Sequence, residues 1–447
     1  MKKYILSIQS LINRPFIFGT IMLTTATLLT RVIGFFYKIF LSRIFSEECL
    51  GIISLTAPIM MITNAICTTG IQNAITRFVA SEKNHKNNHK YSYLFNGLAL
   101  SLGLSFLMTN LVYNNSTFIA THILKESRCI PLLKINALSF PFIAIHNCLN
   151  GFFYGHRKTS IPSFSLIIEQ LTRVFTVYIL YTLTQNIQAN MSLSFICLGM
   201  FFGEVSSSIF SSLALIIHSH KSKPASCQLF SIDKSISIIK LSTPLSLNRI
   251  FISILNTIET IQLPQMLVLS GMSSSTALSI YGVFTGMAFP LIMFPCAITN
   301  AASSLLLPTI SEAQSCNNPK LIKRTIYYTI FSCAILGLAF AAFFFISSNM
   351  LGELLFKNMY VATQIRALSF LCPFLYLSGT LSSILHGLGK TTSTFAFNTI
   401  SITLRLLFVL FLVPHYGFFA YIVGSIFSQI LLDILIILAL RNYILYN

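Results

Sequence analysis

GHRKTSIPSFSLIIEQLTR, residues 155–173, returns 232 positions later as GLGKTTSTFAFNTISITLR, residues 387–405. Gly155 pairs with Gly387, Lys158 with Lys390, Thr159 with Thr391 and Arg173 with Arg405. Each copy starts where one apolar run ends and leads through a short basic turn into the next. Basic turns alone look alike by chance. Arginines in register 18 positions beyond both glycines ask for more than a shared turn. A weaker echo sets Ser81-Glu82 beside Ser311-Glu312.

The apolar runs fall at 16–42, 50–77, 91–113, 131–154, 162–184, 193–217, 241–263, 276–307, 326–347, 366–386, 393–413 and 417–440. A membrane-crossing helix needs about 20 such residues, so these are read as spans 1 to 12. The 447 residues are 54% hydrophobic and 9% charged, with mean hydropathy +0.77. A water-soluble chain carries roughly 25% charged residues, and a disordered one far fewer apolar residues. Both classes are excluded. Pro58, Pro141, Pro290, Pro295 and Pro373 lie within spans, where neighbouring helices satisfy the freed backbone. The fold class is thus all-α and polytopic, with twelve transmembrane helices in two parallel six-helix repeats. The expected division is an N-terminal lobe at 1–217, a cytoplasmic linker at 218–240 and a C-terminal lobe at 241–447.

The net charge of +18 forms no dense basic tract, so nucleic acid is not the expected partner. The basic residues alternate between loops. Those at the N-terminus, after the even spans and after span 12 hold 17, the opposite loops about six. The positive-inside rule then places both termini in the cytoplasm. Residues 1–15 read as a short amphipathic helix on that face. The ten cysteines have no CxxC or regular spacing, and no metal or disulfide framework is expected.

Ionisable groups inside spans cost roughly 3 kcal/mol each on insertion scales, so they mark cavities or ion pairs. Span 1 carries Thr24, Thr27, Arg31, Gly34 and Lys38 on one helical face. Span 7, its equivalent in the repeat, carries Ser242, Ser246, Arg249, Ser253, Asn256 and Thr260 likewise. Small polar stripes also serve as packing seams, which accounts for the serines and threonines. It does not account for Arg31, Lys38 or Arg249, so the two stripes are expected to line a central cavity. Arg77 ends span 2, placed either to line that cavity or to reach the headgroups.

Glu169 and Arg173 stand four apart on span 5, suited to an ion pair. Arg405 has Ser401 four residues before it, so its partner must come from elsewhere, with Glu204 or Asp433 as candidates. Glu204 and Glu259 are in-span acids with a structural or ion-coupling role. His218–His220 is read as a solvated basic loop. No nucleotide-binding loop, dinucleotide fingerprint or nucleophile elbow is present, so no catalytic residues and no cofactor are expected.

GTIMLTTATLLTRVIGFFYKIFLSRIF in span 1 resembles the opening helix of the stage V sporulation protein B group. That group belongs to the multidrug/oligosaccharidyl-lipid/polysaccharide exporter superfamily, beside the lipid II flippases. TTGIQNAITRFVASE (68–82), NGFFYGHRKTSIPSFSLIIEQLTRV (150–174), YGVFTGMAFPLIMFPCAITNAASSLLLPTISEA (281–313) and LHGLGKTT (385–392) extend the resemblance over most of the chain. It implies two six-helix lobes in a V and a lipid-linked, anionic cell-wall precursor as substrate. Arg31, in TRVIGF, matches the first-helix arginine of the lipid II flippases. Those flippases typically carry an Arg-Asp pair where this chain has Tyr37-Lys38, and two more C-terminal helices, which places this chain nearer the sporulation group.

The expected protein is a monomeric, non-enzymatic flippase in the bacterial cytoplasmic membrane, moving an undecaprenyl-diphosphate-linked glycan. Arg31, Lys38, Arg77, Arg249 and Asn256 are its expected substrate contacts. Glu169, Arg173, Arg405, Glu204 and Glu259 are its structural or coupling set. Membrane lipids and cell-wall synthesis enzymes are the expected partners. A drug/cation antiporter of the same superfamily, which calls for an acidic cavity, and a non-transporting scaffold for wall-synthesis enzymes are the rival readings.

Overall fold

The computed structural model describes residues 15–82, 89–184, 189–221 and 230–445. The expected N-terminal amphipathic helix and part of the expected linker lie outside them. All twelve spans form. They are Met22–Ile44, Glu47–Ser81, Lys90–Asn114, Cys129–Gly155, Ser160–Leu183, Leu193–Ser219, Ile232–Leu269, Ser274–Met293, Pro319–Phe356, Met359–Gly387, Thr391–Tyr416 and Phe418–Arg441. Among the described residues there is no β-strand.

The sequence places one helix across 276–307, and here the structure differs. The chain turns at Phe294-Pro295 and restarts as a separate helix, Cys296–Ser315. Proline lacks the N–H a continuing helix needs, and its ring crowds the preceding turn. The expected linker is also shorter than the charge pattern suggests. The helix of span 6 runs to Lys221, and that of span 7 begins at Ile232. His218 therefore sits at a helix end and not in a solvated loop. Its Nδ1 lies 3.0 Å from Lys158 Nζ, and its ring packs edge-on against His156.

The repeat holds at the level of single backbone hydrogen bonds. Arg157 N–H donates to Tyr154 O and Lys158 N–H to Phe153 O. In the second copy Gly389 N–H donates to His386 O and Lys390 N–H to Leu385 O. Arg157 and Gly389 both adopt left-handed conformations, with φ 59° and 73°. So do Lys125 and Lys357, also 232 apart, with φ 56° and 54°. These corners close their helices with crossed hydrogen bonds from residues just past the helix end. Side-chain packing repeats too. A Cβ on Gly155 would meet Thr76 O at 2.8 Å and Val79 Cβ at 2.7 Å. One on Gly387 would meet Leu307 O at 2.9 Å and Ile310 Cβ at 3.0 Å. Gly155 lets the fourth span press onto the helix ending at Ser81, and Gly387 lets the tenth press onto Cys296–Ser315.

Packing divides the chain into two compact units. One contains residues through Gly34 together with Thr56–Ile254, the other Phe35–Leu55 together with the chain from Leu255 onward. The first has a core of Ile71, Ile75, Val79, Leu94, Leu149, Phe152 and Phe153. The second has a core of Ile310, Ile326, Leu381, Ile384 and Leu385. Leu94, Leu149, Phe152 and Phe153 stand 232 positions before Ile326, Leu381, Ile384 and Leu385. Large apolar side chains such as Phe175, Leu183, Tyr327 and Ile346 are exposed, as lipid-facing side chains are on spans whose backbone is satisfied internally.

Candidate functional site

The in-span arginines fall into two kinds. Arg173 and Arg405 are neutralised. Arg173 Nη2 donates to Glu169 Oε1 at 2.5 Å along span 5. Arg405 Nε and Nη2 donate to Glu259 Oε1 and Oε2 at 2.6 and 2.7 Å, from span 11 to span 7. Tyr421 Oη donates to Glu259 Oε1 at 3.1 Å. Neither Glu204 nor Asp433 pairs with Arg405, which corrects the expectation. Glu259 supplies two oxygens side-on to the planar guanidinium fork, the strongest geometry open to such a pair.

Arg31 and Arg249 are the other kind. Arg31 is half-buried and Arg249 exposed, both in the first unit. Among the described residues, neither hydrogen-bonds to a neighbour nor pairs with an acid. Arg77 is exposed at the end of span 2, also with no acid beside it among those residues.

The two expected polar stripes do not stay whole. Lys38 belongs to the second unit, apart from Arg31. Its Nζ donates to Thr285 O at 3.0 Å, within a π-helical turn at Phe284–Ala288. Arg43 behaves alike, donating to Leu354 O and Leu355 O of the π-helical turn Gly352–Phe356. A π-turn takes its carbonyls out of the regular i→i+4 ladder, and these cations occupy them. In span 7, Ser242 and Ser246 pack directly on Gly70 of span 2. That part of the stripe is a packing seam. Asn256 is half-buried in the second unit.

Sequence reasoning passed over His146. It lies on span 4, 7% exposed, with Nδ1 2.9 Å from Glu204 Oε2 on span 6. Ligand atoms of His146, Glu169 and Glu204 all fall within 4.8 Å of one another. A lone imidazole in an apolar run was the available signal, and it gains meaning only once spans 4, 5 and 6 are brought together. Gly199 and Gly203 bring spans 5 and 6 together. A Cβ on either would meet the Arg173 or Glu169 carbonyl oxygen at 3.0 Å, so span 6 lies hard against span 5. Ser165 reinforces the contact, bonding to Ser207 and Ser211 at 2.6 and 3.2 Å.

Twelve spans, a twofold repeat and cationic groups inside the spans mark a polytopic membrane protein. Residues 17–314 match the family described as Polysaccharide biosynthesis protein, and residues 244–411 match the MatE family. The chain belongs to the polysaccharide biosynthesis protein family, within the multidrug/oligosaccharidyl-lipid/polysaccharide superfamily. It is 23% identical over 438 residues to Stage V sporulation protein B of Bacillus subtilis (strain 168), covering 95% of this chain and 83% of that protein. Its fold is shared with a multidrug resistance MATE family transporter in an inward-facing conformation, at TM-score 0.71 and 14% identity over 93% of this chain and 95% of the other. It is shared equally with the lipid II flippase MurJ in an inward closed conformation, at TM-score 0.70 and 16% identity over 94% and 87% of the two chains.

Proposed function

We propose that this protein is a flippase carrying a lipid-linked, diphosphate-bearing glycan precursor from the inner to the outer leaflet of the bacterial cytoplasmic membrane. The observation that carries this reading is the contrast among the arginines. Two are neutralised by glutamates, while Arg31 and Arg249 have no acidic partner among the described residues. An in-span cation without a counter-charge is costly, and it is retained where an anionic ligand or water-filled cavity serves it. A diphosphate is such a ligand, because each guanidinium can hold two of its oxygens. The family match and the likeness to Stage V sporulation protein B support the same class of cargo.

In this reading Arg31 and Arg249 are the headgroup anchors, with Arg77 as a secondary contact. Transport by alternating access exposes the anchors to each leaflet in turn. The lipid tail stays in hydrocarbon throughout. The loop charges support cytoplasmic termini. No bond in the cargo breaks, so no reacting group or cofactor is needed. One chain carries both lobes and acts as a monomer beside wall-synthesis enzymes.

Reconstitution tests the reading. Proteoliposomes holding the purified protein should move a fluorescent undecaprenyl-diphosphate glycan between leaflets, measured by loss of protection from an impermeant quencher. Transport of a cationic dye with no flipping would establish the antiporter instead. Neither activity, with intact folded protein, would favour the scaffold.

A further inference from the structure

We propose that His146, Glu169 and Glu204 form a buried site for one exchangeable proton in the first unit. This goes beyond the choice of cargo and does not depend on it. Four ionisable groups meet here: His146 from span 4, Glu169 and Arg173 from span 5, and Glu204 from span 6. Glu169 is balanced by Arg173 at 2.5 Å. Glu204 is balanced only if His146 carries two protons. With an imidazolium the cluster holds two ion pairs and is neutral. With a neutral imidazole it holds one uncompensated carboxylate in a membrane interior, which is expensive. The two states differ by one proton and one unit of charge.

His146 Nδ1 and Glu204 Oε2 lie 2.9 Å apart, and two lone pairs that close repel unless a hydrogen lies between them. A neutral imidazole protonated at Nδ1 supplies that hydrogen, and the second proton, on Nε2, is the one that balances the Glu204 charge. A divalent metal is disfavoured, because the Arg173 guanidinium already occupies the Glu169 carboxylate. A proton adds the missing charge without needing further ligands. Other charges are remote or turned away. The charged groups acting on His146 are Glu204, Glu169 and Arg173. Of the other helices packed on span 4, Lys90–Asn114 has its single charge at Lys90, its first residue. Gly70–Ser81 has Arg77 and Ile119–Ile123 has His122, both exposed.

The site sits where span 6 can transmit its state. Gly199 and Gly203 hold span 6 against the backbone of span 5. A change in the attraction between His146 and Glu204 therefore acts on the packing of spans 4, 5 and 6.

The test reads the proton directly. Full-length protein labelled with nitrogen-15 at histidine, in lipid nanodiscs, is followed by imidazole NMR between pH 5 and pH 9, and His146→Gln identifies the His146 signals. The His146 ring should change protonation state within that range. Its midpoint should move by roughly one unit or more in Glu204→Gln, the size of effect a contacting charge exerts. Glu204→Asp should keep the switch, and Glu126→Gln, in the loop before span 4, should leave it unmoved. The proposal fails if His146 keeps one protonation state throughout, or if its midpoint ignores the loss of the Glu204 charge. It also fails if zinc or sodium ions at constant pH saturate the same signals in parent but not Glu204→Gln, for then the ligand is a metal ion. None of these outcomes depends on whether lipid is flipped.

Discussion

Arg405 on span 11 grips Glu259 on span 7 with both arms of its guanidinium, at 2.6 and 2.7 Å, while its repeat partner Arg173 finds its glutamate within its own helix. The same arginine has thus been kept in both halves and its counter-charge supplied by two different routes.

The Glu259 side chain is 6% exposed and that of Arg405 24%. Removing one partner of a buried pair strands the other charge, at about 3–5 kcal/mol. Glu259→Gln should therefore lower the thermal midpoint of the detergent-solubilised protein sharply. Glu259→Met with Arg405→Met should recover most of the loss, since an apolar pair strands nothing. Equal damage from single and double variants would show that the pair itself is not the stabilising unit.

Arg31→Ala and Arg249→Ala should each reduce flipping of a labelled diphospholipid in proteoliposomes by at least tenfold, the effect of about 1.4 kcal/mol at the carrier step. Lysine at either position should retain part of the activity, having the charge without the fork. Ser253→Ala should cost far less. Parental rates in both alanine variants, at equal protein levels, would end the cationic-anchor mechanism.

Topology can be read from thiol labelling in a cysteine-free background. Asn317 lies between spans 8 and 9 and Ser127 between spans 3 and 4, both exposed. In intact cells an impermeant maleimide should label Ser127→Cys and spare Asn317→Cys. The reverse pattern would place the termini outside.

Gly51 and Gly282, 231 positions apart, cross face to face within the second unit. A Cβ on Gly282 would overlap the Glu47 carbonyl oxygen, and one on Gly51 the Leu278 carbonyl oxygen. Backbone cannot yield as a side chain can, so Gly282→Ala should destabilise by about 1–3 kcal/mol. Gly103 has nothing within 4 Å of a Cβ, and Gly103→Ala should be silent in the same thermal assay.

The number of spans and their pairing into halves were legible because both rest on run length and local register. Hydrophobic length survives any tertiary arrangement. What escaped was set by contacts between distant positions. Nothing near Arg405 announces Glu259, which lies 146 residues away. Lys38 reads as a cavity cation until the π-turn at Phe284–Ala288 offers it a carbonyl. His146 is one imidazole in a run of apolar residues until spans 5 and 6 bring two carboxylates to it. The stripe rule was accurate about which residues share a face and silent about what that face meets. Ser242 and Ser246 accordingly proved to be a seam against Gly70.

The left-handed corner after span 4 carries Arg157, and the one after span 10 carries Gly389. Glycine enters that conformation freely, whereas a side chain with a Cβ is strained there. The two halves therefore agree in the direction the backbone takes here and differ in the residue that takes it. They carry arginine against glycine at this bend and draw a glutamate to their shared arginine from different helices, while the main chain makes the same turn in both. The likeness of the two halves of this chain is read more directly from the torsion angles at their corners than from the letters that occupy them.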